Sequence, residues 1–193
     1  MAEIRADIPF YLRSGGGVTL SGGEVLLQSE FAASLLRQCR QERIHTAIET
    51  NLSLDRSRLE GMAPYLNLVM ADIKHMDSAA HRRATGAGNE RILENLRWLD
   101  DQGMPLIVRT PVIPGFNDSA ENIETTAAFL SRLKNLCYYE LLSYNPMGND
   151  KRRRLGYPVP EIPVPGRKQM RLLAHHAASR GCPVWVDGRE YTG

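Results

Sequence analysis

Cysteine is scarce and dispersed in this chain: Cys39, Cys137 and Cys182 are the only three in 193 residues. No two stand at the C-x-x-C spacing of a metal or redox pair, and three isolated thiols cannot build a disulfide framework. They read as small buried or half-buried hydrophobes. An excess of one charge is also lacking. Lys and Arg number 24 against 22 Asp and Glu, a net charge of +2, which excludes a surface built for bulk nucleic acid. No apolar run approaches the roughly 20 residues needed to cross a bilayer, and a signal-peptide pattern is missing. The expected compartment is therefore the cytoplasm, with neither membrane nor nucleic acid as partner. His45, His75 and His81 stand alone and His175-His176 lies in a helix of mixed character, so no zinc spacing emerges.

What remains is ordinary globular composition, 42% hydrophobic and 24% charged, in a length that suits one domain over residues 1–193. The distinctive stretch is Gly15-Gly16-Gly17-Val18-Thr19-Leu20-Ser21-Gly22-Gly23-Glu24. Glycines admit φ > 0 and close approach of a ligand to the backbone. A flexible turn would explain the first three. The second Gly-Gly, closed by Glu24 just before a helical pattern, favours a strand Val18–Leu20 feeding a ligand-gripping loop.

Strand and helix patterns then alternate. The start is the tail of a helix (Ala2 to Arg5) running into Pro9-Phe10-Tyr11-Leu12. Leu26, Leu27, Phe31, Leu35 and Leu36 recur at helical spacing, predicting a helix from Ser29 to Arg43. β-branched content predicts strands over Ile44–Thr50, Asn67–Lys74, Leu106–Ile113 and Cys137–Tyr144, with a short last one over Pro183–Val186. Helices are expected over Asp55–Met62, Glu90–Gln102, Ser119–Leu133 and Gly166–Arg180. His75–Asn89 reads as a polar segment, and Asn145–Pro165 as a long loop with a basic run, Lys151 to Arg154. Such a rhythm gives right-handed βαβ units and a parallel sheet, open or closed as a barrel.

Function in such folds sits at the carboxyl ends of the strands. There Glu24, Glu49, Asp72 with Lys74, Arg109 and Asn145 follow or end five successive strands. Alternation puts Met70, Asp72 and Lys74 on one face. Each charge alone could be a structural ion pair, for example Asp72 with Arg109. Together, both signs at one rim suit a small zwitterionic ligand.

The same residues carry a family resemblance. Ser14 to Glu24, Ile44-His45-Thr46 with Glu49-Thr50-Asn51, Asp72-Ile73-Lys74, and Val112-Ile113-Pro114-Gly115 with Asn117-Asp118 resemble the radical S-adenosylmethionine (SAM) enzymes that activate glycyl radical enzymes, the pyruvate formate-lyase activating enzyme family. The match runs from Pro9 onward. It implies an α/β fold, a partial (β/α) TIM-like barrel of parallel strands with the first strand missing. It implies SAM held at the mouth: Gly22, Gly23 and Glu24 at the methionyl amino group, Asp72 and Lys74 orienting the methionyl end, Arg109 and Glu49 nearby. Glu49, Thr50 and Asp72 are the residues it offers to a monovalent cation. Asn145 takes a place often held by His on the nucleoside side, and Val25 one often held by Pro or Ala. The implied partners are a glycyl radical enzyme and a flavodoxin- or ferredoxin-type electron donor. In that family a reduced 4Fe-4S cluster reduces the sulfonium, and the resulting 5′-deoxyadenosyl radical takes hydrogen from a glycine of the partner.

The C-x-x-x-C-x-x-C motif that holds that cluster is not among these residues, and three distant cysteines cannot replace it. The expectation is thus a carboxyl-terminal portion of an activase with no catalytic residue of its own. It would be inactive alone, with the 4Fe-4S cluster bound in the full-length protein only and an exposed sheet edge that invites self-association. Two other readings remain: a non-catalytic module binding SAM or a partner, and an aldolase-like barrel with Lys74 as Schiff-base nucleophile. The basic run reads as a solvated loop, with docking of the partner protein as its functional alternative.

Overall fold

The computed structural model describes residues 1–146, 148–159 and 161–193. Two short helices, α1 (Ala2–Ala6) and α2 (Ile8–Ser14), precede β1 (Gly17–Leu20). Then come a 3-10 turn Val25–Gln28, α3 (Ser29–Gln41), β2 (His45–Thr50), α4 (Ser57–Glu60) and a second 3-10 turn Ala63–Tyr65. They are followed by β3 (Leu68–Asp72), α5 (Ser78–Thr85), α6 (Glu90–Asp101), β4 (Leu106–Val112), α7 (Ala120–Leu130) and β5 (Leu136–Ser143). The chain continues with α8 (Gly148–Arg154), α9 (Arg167–Ala178), β6 (Val184–Val186) and β7 (Arg189–Glu190).

The strands form one sheet in sequence order, β1 to β7. Every pair from β1 to β6 is parallel, and β7 returns antiparallel on β6. This is the expected α/β architecture, an open partial barrel. Strand residues of one parity, among them Val69, Ala71, Val108, Tyr139 and Leu141, are buried in the main core together with residues of α3, α6, α7 and α9. On the other face Ala47, Met70 and Ile107 form a small buried cluster flanked by Leu68 and Tyr138. Trp185 stacks on Tyr138 with ring centroids 4.5 Å apart. One layer nearer the carboxyl ends, that same face turns charged. No helix among the described residues is long and apolar enough to cross a membrane.

Several elements differ from the sequence reading. The polar segment contains α5, started by Asp77, whose side chain accepts from the Ala80 N–H at 2.5 Å, and stopped by Gly86 in the left-handed region. The long loop contains α8, and the amino-terminal segment is two helices rather than one tail. The last strand continues into a hairpin through Asp187 (φ +47°) and Gly188 (φ +77°), as a type I′ turn requires. Cys39 and Cys182 are buried as expected, but Cys137 is exposed. The reason is a bulge: Leu106 pairs with Leu136 and Ile107 with Tyr138, so Cys137 is skipped and displaced outward.

Asp100, nearly buried at the end of α6, fastens the turn before β5. Its carboxylate accepts from the Lys134 and Asn135 N–H groups at 3.1 and 2.8 Å and from the Asn135 amide at 3.0 Å. Burial works to raise its pKa, but these donors prevail and hold it below the usual carboxylate range. A depressed folded pKa stabilises above the unfolded value of about 4 and loses that contribution as pH falls through the folded one. Asp100→Asn should therefore cost about 1–2 kcal/mol at pH 7, and the gap to wild type should close on acidification. Urea denaturation at pH 7 and pH 3 checks this; an equal gap at both would refute it.

Candidate ligand-binding rim

The β1 exit is held from below. Gly22 takes φ +137°, open only to glycine, and turns the chain into Glu24. The Glu24 carboxylate accepts from the Leu26 N–H (3.0 Å), the Thr50 hydroxyl (2.6 Å) and the Asn51 N–H (2.9 Å). Glu24 thus caps the first 3-10 turn and ties the loop to the end of β2, leaving its own carboxylate largely occupied. At Gly22 and Gly23, both exposed, the loop presents backbone outward. A cavity of about 300 Å³ opens beside it, lined by Leu20, Gly22, Gly23, Val25, Leu27 and Phe31 among others. A Cβ built on Gly23 would meet nothing within 4 Å, and its φ lies outside the left-handed range. Nothing inside the chain demands glycine there.

The remaining rim residues share a face. Asp72 is register partner of Arg109, and Arg109 of Glu140, so three adjacent strands set a charged row. Lys74 Nζ donates to Asp72 Oδ2 at 2.8 Å, and both side chains are about a third exposed, at 34% and 28%. Arg109 does not pair with Asp72, as the sequence suggested. Its Nη1 donates to Glu49 at 2.5 Å, its Nη2 lies 2.7 Å from the Met70 sulfur, and its Nε stands 3.3 Å from Glu140. The reason is spacing: Lys74 lies two residues beyond Asp72, just past the end of β3, and reaches back to it, while the longer Arg109 side chain crosses to β2. Glu140 escaped the sequence reading, although a carboxylate inside the apolar run Tyr138 to Leu142 was a visible signal.

Asn51, Ser53, Asp72, Lys74, His81 and Thr85 line a smaller cavity of about 140 Å³. Thr50, offered for a cation with Glu49 and Asp72, gives its hydroxyl to Glu24, while Glu49 holds Arg109 and Asp72 holds Lys74. Among the described residues no group of three or more His, Cys, Asp or Glu side chains could hold a metal ion. Asn145 is exposed just past β5. Lys74, ion-paired at a polar rim, is not set in the apolar pocket that activates Schiff-base lysines. In the basic run, Arg152 donates to the Pro158 carbonyl at 2.9 Å and Arg153 pairs with Asp150 at 2.6 Å, as a solvated surface does; the Lys151 side chain lies outside the described residues. A larger groove of about 540 Å³, beside β6 and β7, contains none of the candidate residues.

Chemically the rim, at the carboxyl ends of the strands, offers exposed backbone at Gly23 and, on the charged face, carboxylates, an ammonium and a guanidinium, a complement to a zwitterion. It fits SAM in the donor types present and in the bare backbone at Gly23. The residues do not fit an iron–sulfur cluster: Cys39, Cys137 and Cys182 are far apart in the sequence, and burial pushes the Cys182 thiol up to about 11, away from the thiolate a cluster needs.

An open parallel sheet whose strand exits carry a G-G-E loop, a D-x-K pair and a guanidinium defines a class, and comparison with known proteins agrees. The radical SAM superfamily profile matches residues 1–130, and the chain belongs to that superfamily. Its relatives by sequence include activating enzymes of several lyases and of a dehydratase. It is 40% identical over 200 residues to the (2S)-3-sulfopropanediol dehydratase activating enzyme of Klebsiella oxytoca, covering 98% of this chain and 62% of that protein. It is 46% identical over 159 residues to the isethionate sulfite-lyase activating enzyme of Desulfovibrio desulfuricans, covering 81% of this chain and 51% of that one. A crystal structure of a domain of pyruvate-formate lyase-activating enzyme from Bacteroides vulgatus superposes with a TM-score of 0.75 at 30% identity, covering 90% of this chain and 99% of that domain. The chain thus spans about half to two thirds of the length of the curated relatives it matches.

Proposed function

We propose that this chain is the SAM-gripping portion of a glycyl radical enzyme activase. The observation that carries the reading is that the bare Gly23 backbone follows β1 at the same end of the parallel strands where Glu49, Asp72 with Lys74, and Arg109 pair across β2, β3 and β4. Gly22, Gly23 and Glu24 supply backbone at the methionyl amino group, and Asp72 and Lys74 orient the methionyl end. Arg109, Glu49 and Asn145 complete the surround, and Glu49, Thr50 and Asp72 are the candidates for a monovalent cation. When bound, SAM and a 4Fe-4S cluster supply the hydrogen-abstracting chemistry; the cluster is assigned to the full-length protein, so residues 1–193 alone are expected to be inactive. The substrate is then a glycine of a partner glycyl radical enzyme, and a flavodoxin- or ferredoxin-type protein the reductant, all in the cytoplasm. The strand β1, paired on one side only, is the edge through which two chains would associate.

Gly23→Ala isolates this reading. With nothing within 4 Å of the added methyl, the melting temperature should stay within about 2 °C of wild type. The affinity for SAM, measured by titration calorimetry, should fall about tenfold or more because the methyl occupies ligand space. No binding of SAM by the wild-type chain, or equal binding by the variant, would refute it.

A further inference from the structure

Arg109 is the most constrained charge on the open face. Two carboxylates reach it from opposite sides, and they differ in kind. The Glu49 side chain is 45% exposed and the Glu140 side chain 8%. Glu140 also accepts the Gly188 N–H at 2.8 Å, which fixes it to the β6–β7 turn. Arg109 Nε is buried and has no hydrogen-bond partner among the described residues; Glu140 Oε2 lies 3.3 Å from it, within ion-pair distance but outside hydrogen-bond geometry.

We propose that Glu140 is a positioning residue for the SAM site: it anchors the Arg109 guanidinium from the buried side, while Glu49 is the exchangeable partner that an arriving ligand displaces. The inference rests on the function proposed above. A guanidinium held only by Glu49 would lose its orientation when a ligand competed for either group. A second carboxylate, desolvated and pinned to backbone, keeps the fork aimed across the open face after the exposed pair opens. Ligand binding then costs one solvent-screened ion pair rather than the whole network. The register explains why Glu140 can serve: it stands directly beside Arg109 on the next strand and needs no reach.

Calorimetric titration of SAM into wild type, Glu140→Gln, Arg109→Met and the double variant, well below each melting temperature, tests this. Glutamine keeps the acceptor for Gly188 but removes the charge. Glu140→Gln should weaken SAM binding about tenfold, with no further loss when added to Arg109→Met. A purely structural role would lower stability without this dependence on Arg109. Unchanged affinity in Glu140→Gln, or an equal loss in both backgrounds, would overturn the proposal. If wild type binds no SAM, the functional reading falls, and the same four proteins in urea denaturation decide the anchor: non-additive effects support it, additive effects overturn it.

Discussion

Gly17→Ala should be among the most destabilising conservative substitutions in the chain, lowering stability by about 2–3 kcal/mol and the melting temperature by about 5–10 °C. Gly17 begins β1 and is the register partner of His45 on β2. A methyl there would overlap the His45 carbonyl oxygen and come within 2.7 Å of the carbonyl carbon. The obstacle is backbone, so no rotamer change relieves it. β1 pairs on one side only, so the strain should be released by peeling its first residues away from β2. Amide exchange at Val18 and Leu20 should quicken before global unfolding. The loop Ser21 to Glu24 hangs from this strand, so its ligand-facing backbone should move as well. A variant melting with wild type and showing unchanged exchange at β1 would refute the account. Gly17 and Gly23 thus make a pair with opposite logic: one is glycine because the chain leaves no room, the other although the chain leaves ample room.

The parts of this molecule that were legible in the sequence are those where burial dictates residue type. β2, β3, β4 and β5 are runs of apolar and β-branched residues, and the parity of Met70 and Asp72 along β3 follows directly from strand alternation. What was missed is stabilised by local polar geometry instead. In α5 only His81 is buried, so there is no apolar stripe to detect; Asp77 and Gly86 make the helix by capping both ends. α8 has no apolar side chain and is invisible to apolar periodicity for the same reason. The Asp187-Gly188 hairpin had a strong signal, but its two-residue return strand is too short to register as one. At the rim, the sequence put Glu49, Asp72, Lys74 and Arg109 at one end of the sheet, because parallel strands must release their loops on one side, but it passed over Glu140. It could not assign partners: whether Arg109 meets Asp72 or crosses to Glu49 depends on side-chain reach between strands, which no pattern encodes.

Asn117→Ala should be the costliest single change at the rim, about 3–4 kcal/mol, because one amide serves three backbone groups and each buried group left without a partner costs about 1–3 kcal/mol. Asn117 is fully buried. Its Nδ2 donates to the Lys74 and Pro111 carbonyls at 2.8 and 2.9 Å, and its Oδ1 accepts the Ile113 N–H at 2.7 Å. Two more asparagines extend the frame. Asn122 accepts the Met76 N–H at 2.9 Å and donates to the Asn117 carbonyl at 3.0 Å. Asn89 donates to the His75 and Met76 carbonyls at 2.9 and 2.7 Å. The chain leaving β3 from Lys74 to Met76 has no neighbouring strand to satisfy it, and these amides stand in for one. Alanine at 117 should therefore both destabilise the fold and loosen the backbone that carries the Lys74 ammonium to Asp72. Asn117→Asp should be at least as damaging: the carboxylate still accepts from Ile113 but faces two carbonyls with negative charge. The expected readout is a melting temperature lower by about 10 °C in both variants, with SAM affinity reduced in whatever fraction stays folded at low temperature. Near-wild-type stability in Asn117→Asp would show that the amide's two donated bonds do not matter, and that Lys74 is held in place by its ion pair alone.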